Sequence, residues 1–344
     1  MRRHKETQGR KSKGDLTVKL GIIGTGNMAS AILKGYLATD TDAHNVYVVG
    51  HSEAKTSAFA SENDITACSD IEELTQKCDA LLIAVKPKDV RDVLAKVKSK
   101  LDGENASKLV ISIAAGISTS QLTDMLTATQ SADAPTAPTA TQSTDVPATP
   151  QNTDAPTAPQ SADAPAAPQN TDAAAMPKSA DKLKKDQKQN PKIIRVMPNT
   201  PAMVCAGMSA LCRTKSVTDE EFEYVMDIFR SIGEAEEVPE SLMDAVTGVS
   251  GSGPAFVYMF IEALADGAVF AGLPREKAQK FAAQTVLGSA MMVLKTNRHP
   301  GELKDAVCSP AGTTIEGVKT LENAGFRSAV MNAVIAAAEK SRNM

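Results

Sequence analysis

The chain has 344 residues, 42% of them hydrophobic and 3% aromatic, and a formal net charge of −4. Its length admits two domains, and a small negative charge with no broad basic region beyond the first few residues excludes nucleic acid as the expected partner. No apolar run reaches the roughly 20 residues needed to span a bilayer, because the longest helical candidates carry acids such as Glu262 and Asp266, so a soluble chain with no membrane partner is expected.

Residues 1–17 crowd Arg2, Arg3, Lys5, Arg10, Lys11 and Lys13 together without an apolar stretch. That is not a secretory signal; it reads as a solvated disordered tail, with a transit peptide or a polyanion-binding arm as the alternatives. Residues 18–29 then read as a buried strand feeding directly into a glycine turn and a helix. Gly24 allows the sharp turn, Gly26 removes the side chain where a dinucleotide approaches the backbone, and Ala29 lets the helix lie close to its strand. The helix N-terminus offers unpaired N–H groups and a positive dipole end to phosphates. A Gly-x-Gly-x-x-Ala match equally suits any tight strand-to-helix turn, so the context matters. Ala31, Ile32, Leu33, Tyr36 and Leu37 continue at helical spacing, and Val46–Val49 supplies the second strand of a βαβ unit.

Strand and helix signals keep alternating: residues 57–62 helical, 65–67 extended, 71–75 helical, 80–85 a continuous apolar strand and 109–113 another. This predicts a doubly wound α/β sheet of Rossmann type. The strands over 80–85 and 109–113 run into Lys86-Pro87 and Ala114-Ala115-Gly116, at the carboxyl ends where such sheets bind ligands. Lys86 either faces the cofactor or is an exposed loop lysine, and Pro87 suits the first residue of a helix. About 20 residues beyond the glycines, where an NAD-binding fold usually carries an acid, the chain has Gly50-His51-Ser52. A missing acid removes repulsion against a 2′-phosphate, and Ser52, His51 and Lys55 can donate to it, so NADPH is preferred over NADH; Glu53 is the residue that would reverse this.

From 127 to 190 the style changes to near-copies of Gln-Ser-Ala-Asp-Ala-Pro-Thr-Ala-Pro followed by a Lys/Asp/Gln tract. Such composition cannot bury enough apolar surface to offset its ordering entropy, so a disordered insert is expected, a spacer or tether between a helix over 119–126 and a strand over 192–197. About 260 residues remain for a packed core. Pro198-Asn199-Thr200-Pro201 follows as another active-edge loop, then an extended stretch over 203–211, a helix over 219–231 and a short strand over 235–238. From 241 onward the sequence is almost wholly helical, with Ser250-Gly251-Ser252-Gly253-Pro254-Ala255 opening a helix to 270 that is apolar nearly all round and calls for burial against a second subunit. The division is therefore a tail (1–17), a dinucleotide-binding domain (18–240, interrupted by 127–190) and a helical domain (241–344). Near its end, Ser309-Pro310-Ala311-Gly312-Thr313-Thr314-Ile315-Glu316 reads either as a turn with a Thr313/Glu316 capping box or as a carboxylate site. In the second reading, N–H groups after Gly312 and the hydroxyls of Ser309 and Thr314 face the anion.

Five cysteines, odd in number and without a Cys-x-x-Cys pair, point to reduced thiols and a cytoplasmic setting, and the four histidines lie apart, so no metal is expected. Cys308 reads as a space-filling residue, with a redox-sensitive thiol as the alternative.

Residues 24–29, 84–87, 197–201, 244–248, 250–255 and 309–314, in this order, make the chain resemble pyrroline-5-carboxylate reductases, the enzymes that complete proline biosynthesis, from about 20 to 339 with the repeat tract excluded. The resemblance implies NAD(P)H bound by Ile23, Gly24, Thr25, Gly26, Asn27 and Met28, by Ser52, by Ala84, Val85, Lys86 and Pro87, and by Ala114 and Ala115. It implies the carboxylate of 1-pyrroline-5-carboxylate held by Ser309, Gly312, Thr313 and Thr314, with Thr314 contacting the ring nitrogen as the catalytic hydroxyl. It also implies a homodimer with interlocked helical domains, often associating further. Ala306 and Asn297 depart from the pattern of some relatives, and the repeat tract is foreign to it. The rivals are a β-hydroxyacid dehydrogenase, for which Lys304 is the only lysine close to the expected site, and a silent NADPH-sensing scaffold.

Overall fold

The computed structural model describes residues 18–39, 41–101, 107–128 and 190–344; the expectations for residues 1–17 and for most of the repeat tract lie outside them. Eight strands form one sheet: β1 (Leu20–Ile23), β2 (Val46–Val49), β3 (Thr66–Ala67), β4 (Ala80–Ile83), β5 (Leu109–Ser112), β6 (Lys192–Met197), β7 (Gly207–Arg213) and β8 (Gly233–Glu237). Their order is β3-β2-β1-β4-β5-β6-β7-β8. From β3 to β6 all pairs are parallel, and the register aligns Ile23 with Val49 and Ile83, and Ser112 with Ile83 and Arg195, so the carboxyl ends finish together on one edge.

Alternate side chains of β1, β2, β4, β5 and β6 feed two cores, as the period of two requires. On one face Leu82 and Ile194 pack with Ile32 and Leu33 of α1 (Asn27–Leu37) and with Val225 and Phe229 of α6 (Asp219–Arg230). On the other, Leu81, Ile83 and Ile193 meet Leu74 of α3 (Ile71–Lys77), Leu94 of α4 (Val90–Lys98) and Leu122 of α5 (Thr119–Thr127). The remaining helix of this part, α2 (Glu53–Asn63), buries only Thr56 and Ala60.

The end of the sheet departs from the parallel pattern, because β7 pairs antiparallel with β6. The link between them is a 3-10 turn over Thr200–Val204, too short for the crossover that a parallel neighbour needs. The stretch expected to be extended from 203 is thus corrected: Met203 and Val204 close that turn, Cys205 takes a left-handed φ of 54°, and the strand begins at Gly207. Pro201 inside the turn explains the difference, since it fixes φ near −65° and favours a turn over a strand.

Beyond a 3-10 turn at Glu240–Leu242, the chain is helical: α7 (Met243–Val246), a π-helical turn (Thr247–Gly251), α8 (Gly253–Phe270), α9 (Arg275–Thr296), α10 (Pro300–Ala306), α11 (Thr313–Asn323) and α12 (Phe326–Arg342). Asn297 ends α9 in the left-handed region that asparagine tolerates. The start of this region is clamped to the sheet. Glu240 accepts from Thr119 N (2.7 Å), Thr119 Oγ1 (2.5 Å) and Arg195 (3.1 Å), and Met243 packs on Ala210 and Cys212.

Within one protomer α8 and α9 hold each other through Ala265, Ala278 and Ala282, and little else of them is buried. Met259 is 68% exposed and Phe270 96%. By length and composition alone, the continuous helical stretch Glu240–Phe270 is long and apolar enough to cross a membrane, its most apolar 18 residues having a mean hydropathy of 1.3. Glu262 and Asp266 interrupt its apolar character.

Candidate functional site

The first part of the site is built by the β1–α1 turn. Gly24 has φ +114°, a conformation L side chains rarely adopt, and a Cβ there would lie 2.6 Å from the Ala84 carbonyl oxygen; its N–H donates to Val49 at 2.8 Å. Gly26 differs in kind. It is the N-cap of α1 in ordinary extended backbone, and a Cβ added to it meets no atom within 4 Å. Packing therefore gives no reason for glycine at 26, whereas a ligand lying on the backbone does. As a glycine, Gly26 has no side chain to receive the first-turn N–H groups of α1, and no acid stands in that turn, so the cradle suits an anion.

The other segments assigned to the cofactor converge on the same edge. Ile23, Gly24 and Val85 line an open cleft of about 510 Å³ with Gly50, His51, Asp70 and Lys96. Ala84 N donates to Ile23 O (2.9 Å), which seats the Ala84–Val85 segment beside the glycine turn, while Lys86 and Pro87 are exposed at the head of a 3-10 turn. Ala114 is buried, with its N–H 3.3 Å from Ser112 Oγ, and Ala115 is half-buried at the end of β5. Ser52 caps α2, its Oγ accepting from Lys55 N at 3.5 Å, and so it has a structural role beside the one proposed for it. Glu53 falls inside α2, exposed and four residues past the end of β2.

The second cradle is at the start of α11. Gly312 is the N-cap, again with no side-chain cap, and its N–H donates to Ser309 O at 3.0 Å. The capping box expected from Thr313 and Glu316 is absent, because Thr313 is already the first helical residue and Ala311 takes a left-handed φ of 56° to make the turn. The N–H groups that a cap would have used are left for a ligand. A Cβ at Gly312 would sit 2.2 Å from Ser309 Oγ, so glycine here keeps the hydroxyl in the turn. Ser309, Thr313 and Thr314 are exposed in the protomer, and they do not line the cleft beside Gly24. The structure thus gathers the residues expected at the cofactor on one edge and leaves the turn expected to hold a carboxylate as a separate exposed surface of the helical region.

Lys304, the lysine a hydroxyacid dehydrogenase would need, is bonded to Asp305 (2.5 Å), which raises its pKa. A lysine base needs the opposite shift. Burial pushes Cys68 to about 11 and Cys78 and Cys212 to about 12, which keeps these thiols protonated, and Cys308 is half-buried. One residue without an assigned role in the sequence reading stands out: Asn199, at the carboxyl end of β6, bonds Ser250 in the π-helical turn. Fifty-one positions separate the two, and no local pattern signals the contact.

A mostly parallel sheet with a glycine turn at its carboxyl edge, joined to a helical region with an uncovered apolar face, is the architecture of a Rossmann-type oxidoreductase with a helical second region. Residues 240–344 match the family description "Pyrroline-5-carboxylate reductase dimerisation", and residues 19–116 match "NADP oxidoreductase coenzyme F420-dependent". The chain is 40% identical over 327 residues to a pyrroline-5-carboxylate reductase of Escherichia coli, covering 95% of this chain and 98% of that one. It is 35% identical to that of Arabidopsis thaliana, covering 95% of each. Among solved structures, the NADP-bound pyrroline carboxylate reductase of Plasmodium falciparum superposes with a TM-score of 0.69 at 33% identity, covering 96% and 99% of the two chains. That of Coxiella burnetii gives 0.73 at 26%, covering 95% and 98%. The chain belongs to the pyrroline-5-carboxylate reductase family.

Proposed function

We propose that this chain reduces 1-pyrroline-5-carboxylate to L-proline with NADPH as a homodimer, the last step of proline biosynthesis. The observation that carries the reading is the pair of helix starts whose N-cap is a glycine in extended backbone, Gly26 before α1 and Gly312 before α11, each offering backbone N–H groups to an anion. Open space over Gly26 fits a pyrophosphate lying on the backbone. Bound NADPH supplies a hydride to the C=N carbon of the substrate.

The chain's own residues orient and polarise. In this reading Ile23, Thr25, Asn27 and Met28 complete the first turn, Ala84 to Pro87 and Ala114-Ala115 wall the nicotinamide side, and His51, Ser52 and Lys55 face the 2′-phosphate. The absence of an acid at Gly50 and the exposed, helical position of Glu53 support NADPH over NADH. Ser309, Gly312 and Thr313 hold the substrate carboxylate. Thr314 donates its hydroxyl proton toward the ring nitrogen, which makes the imine carbon more electrophilic, so no histidine base is needed.

The domain division at 240/241 belongs to this reading, as do further association of dimers, which sedimentation velocity would test, and a cytoplasmic location, which the five free cysteines support. The test follows NADPH oxidation with pyrroline-5-carboxylate and, in the reverse direction, NADP reduction with hydroxyacids. Turnover with the imine alone is expected. Turnover with hydroxyacids, or with neither, contradicts it.

A further inference from the structure

The loop after β6 and the π-helical turn before α8 are joined at one side chain. Asn199 Nδ2 donates to Ser250 O (3.2 Å) and lies 3.1 Å from Ser250 Oγ, while Asn199 Oδ1 accepts from Met208 N (2.9 Å) at the start of β7. All three elements are thereby fixed by a single half-buried amide.

The need for this contact can be traced to Pro254. In a continuing α-helix the carbonyl of residue 250 would accept from the N–H of residue 254, and proline has none. The next N–H along, Ala255, is already bonded to Ser252 O at 3.0 Å, and Ser252 N to Thr247 O at 2.8 Å. The Ser250 carbonyl is therefore left without a helical donor, and Asn199 provides one from 51 positions away. The same loop abuts the cofactor edge: Asn199 is followed at once by the 3-10 turn Thr200–Val204, which packs against α1, the helix that starts at the Gly26 cradle.

We infer that Asn199 is a positioning residue for the reductase reaction, holding the post-β6 loop between the Gly26 cradle and the entrance of the dimerisation helices by serving the Ser250 carbonyl that Pro254 orphans. The inference rests on the proposed reductase activity. Asn199 touches no reacting atom in this account; it sets where the loop stands when the two rings are brought together.

Four variants test it as purified dimers: Asn199→Ala, Asn199→Asp, which keeps shape but loses the donor, Ser250→Ala, and the double Asn199→Ala/Pro254→Ala. Either Asn199 variant is expected to lower kcat with pyrroline-5-carboxylate by about tenfold, with the NADPH Kd within about twofold and the dimer retained. Ser250→Ala, which keeps the carbonyl, should lose about twofold or less. In the double variant residue 254 has an N–H again, so the Tm lost in Asn199→Ala should return while kcat stays low, because the loop is still untethered. Wild-type kcat in both Asn199 variants overturns the inference, and so does recovery of kcat together with Tm in the double, which would reduce Asn199 to a filler of one hydrogen bond. A wild-type chain inactive with pyrroline-5-carboxylate overturns the reductase reading and this inference with it; an active wild type with active Asn199 variants overturns this inference alone.

Discussion

Replacing Gly26 by alanine separates binding from folding. At φ −79° and ψ 175° the N-cap backbone accommodates any L residue, and the added Cβ would have no atom of the protein within 4 Å. Fold stability should therefore be unchanged or slightly higher, since alanine restricts the unfolded chain and can add about 0.4–1 kcal/mol. The methyl group does, however, occupy the space over the α1 N-terminus. Displacing the pyrophosphate from one charge-assisted N–H contact costs about 1.5–3 kcal/mol, which is roughly a tenfold to 150-fold rise in the NADPH Kd. Gly24→Ala is the contrasting control. Its φ of +114° and the Ala84 carbonyl 2.6 Å away make the substitution costly to the fold, by about 1–3 kcal/mol from backbone conformation alone. Thermal unfolding and NADPH fluorescence titration read both quantities. A Gly26→Ala protein that binds NADPH like the wild type refutes the cradle, and one that loses several degrees of Tm refutes the open space.

Three further outcomes are expected. Thr314→Ala should lower kcat/KM by about 2–4 kcal/mol if its hydroxyl acts mainly in the transition state, measured as NADPH oxidation, and unchanged turnover would remove Thr314 from the mechanism. For Glu240, burial works to raise the pKa, but the bonds from Thr119 and Arg195 outweigh it and the net shift is downward. Its stabilising effect is thus complete above the ordinary carboxylate range and is lost as pH falls through its depressed folded value. Glu240→Gln should cost about 1–3 kcal/mol at neutral pH, and its denaturation midpoint should approach that of the wild type on acidification; a gap that widens in acid would contradict the sign. Deleting residues 132–187, between α5 ending at Thr127 and β6 starting at Lys192, should leave kcat within about twofold, because a loop of ~60 residues differs from one of ~4 by only about 2–2.5 kcal/mol of closure entropy. A large loss of turnover would give the insert a role in catalysis.

The centre of the sheet was legible because its parallel strands are short apolar runs followed by a glycine or proline break, as in Leu20–Ile23 before Gly24 and Ala80–Ile83 before Pro87. The cofactor edge followed from that order, since parallel strands put every such break on the same side. What escaped depends on contacts between distant segments or on one residue's φ. Met203 and Val204 look like strand residues, yet the short link to β7 forces a turn. Thr313 and Glu316 have the spacing of a capping box, yet Ala311 turns the chain early and makes Gly312 the cap. Asn199 could be read only as a loop residue until Ser250 was seen beside it. The apolar character of α8 was plain in the sequence, and the exposure of Met259 and Phe270 agrees with the dimerisation match over 240–344.

The central claim, hydride delivery to a five-membered imine, is tested most directly by isotope transfer. The protein is incubated with NADPH carrying deuterium at both C4 hydrogens of the nicotinamide and with 1-pyrroline-5-carboxylate, and the proline formed is analysed by mass spectrometry and NMR. The account predicts L-proline one mass unit heavier, with the deuterium on C5, the carbon that was double-bonded to nitrogen. Proline without the label, or no proline at all, would contradict it.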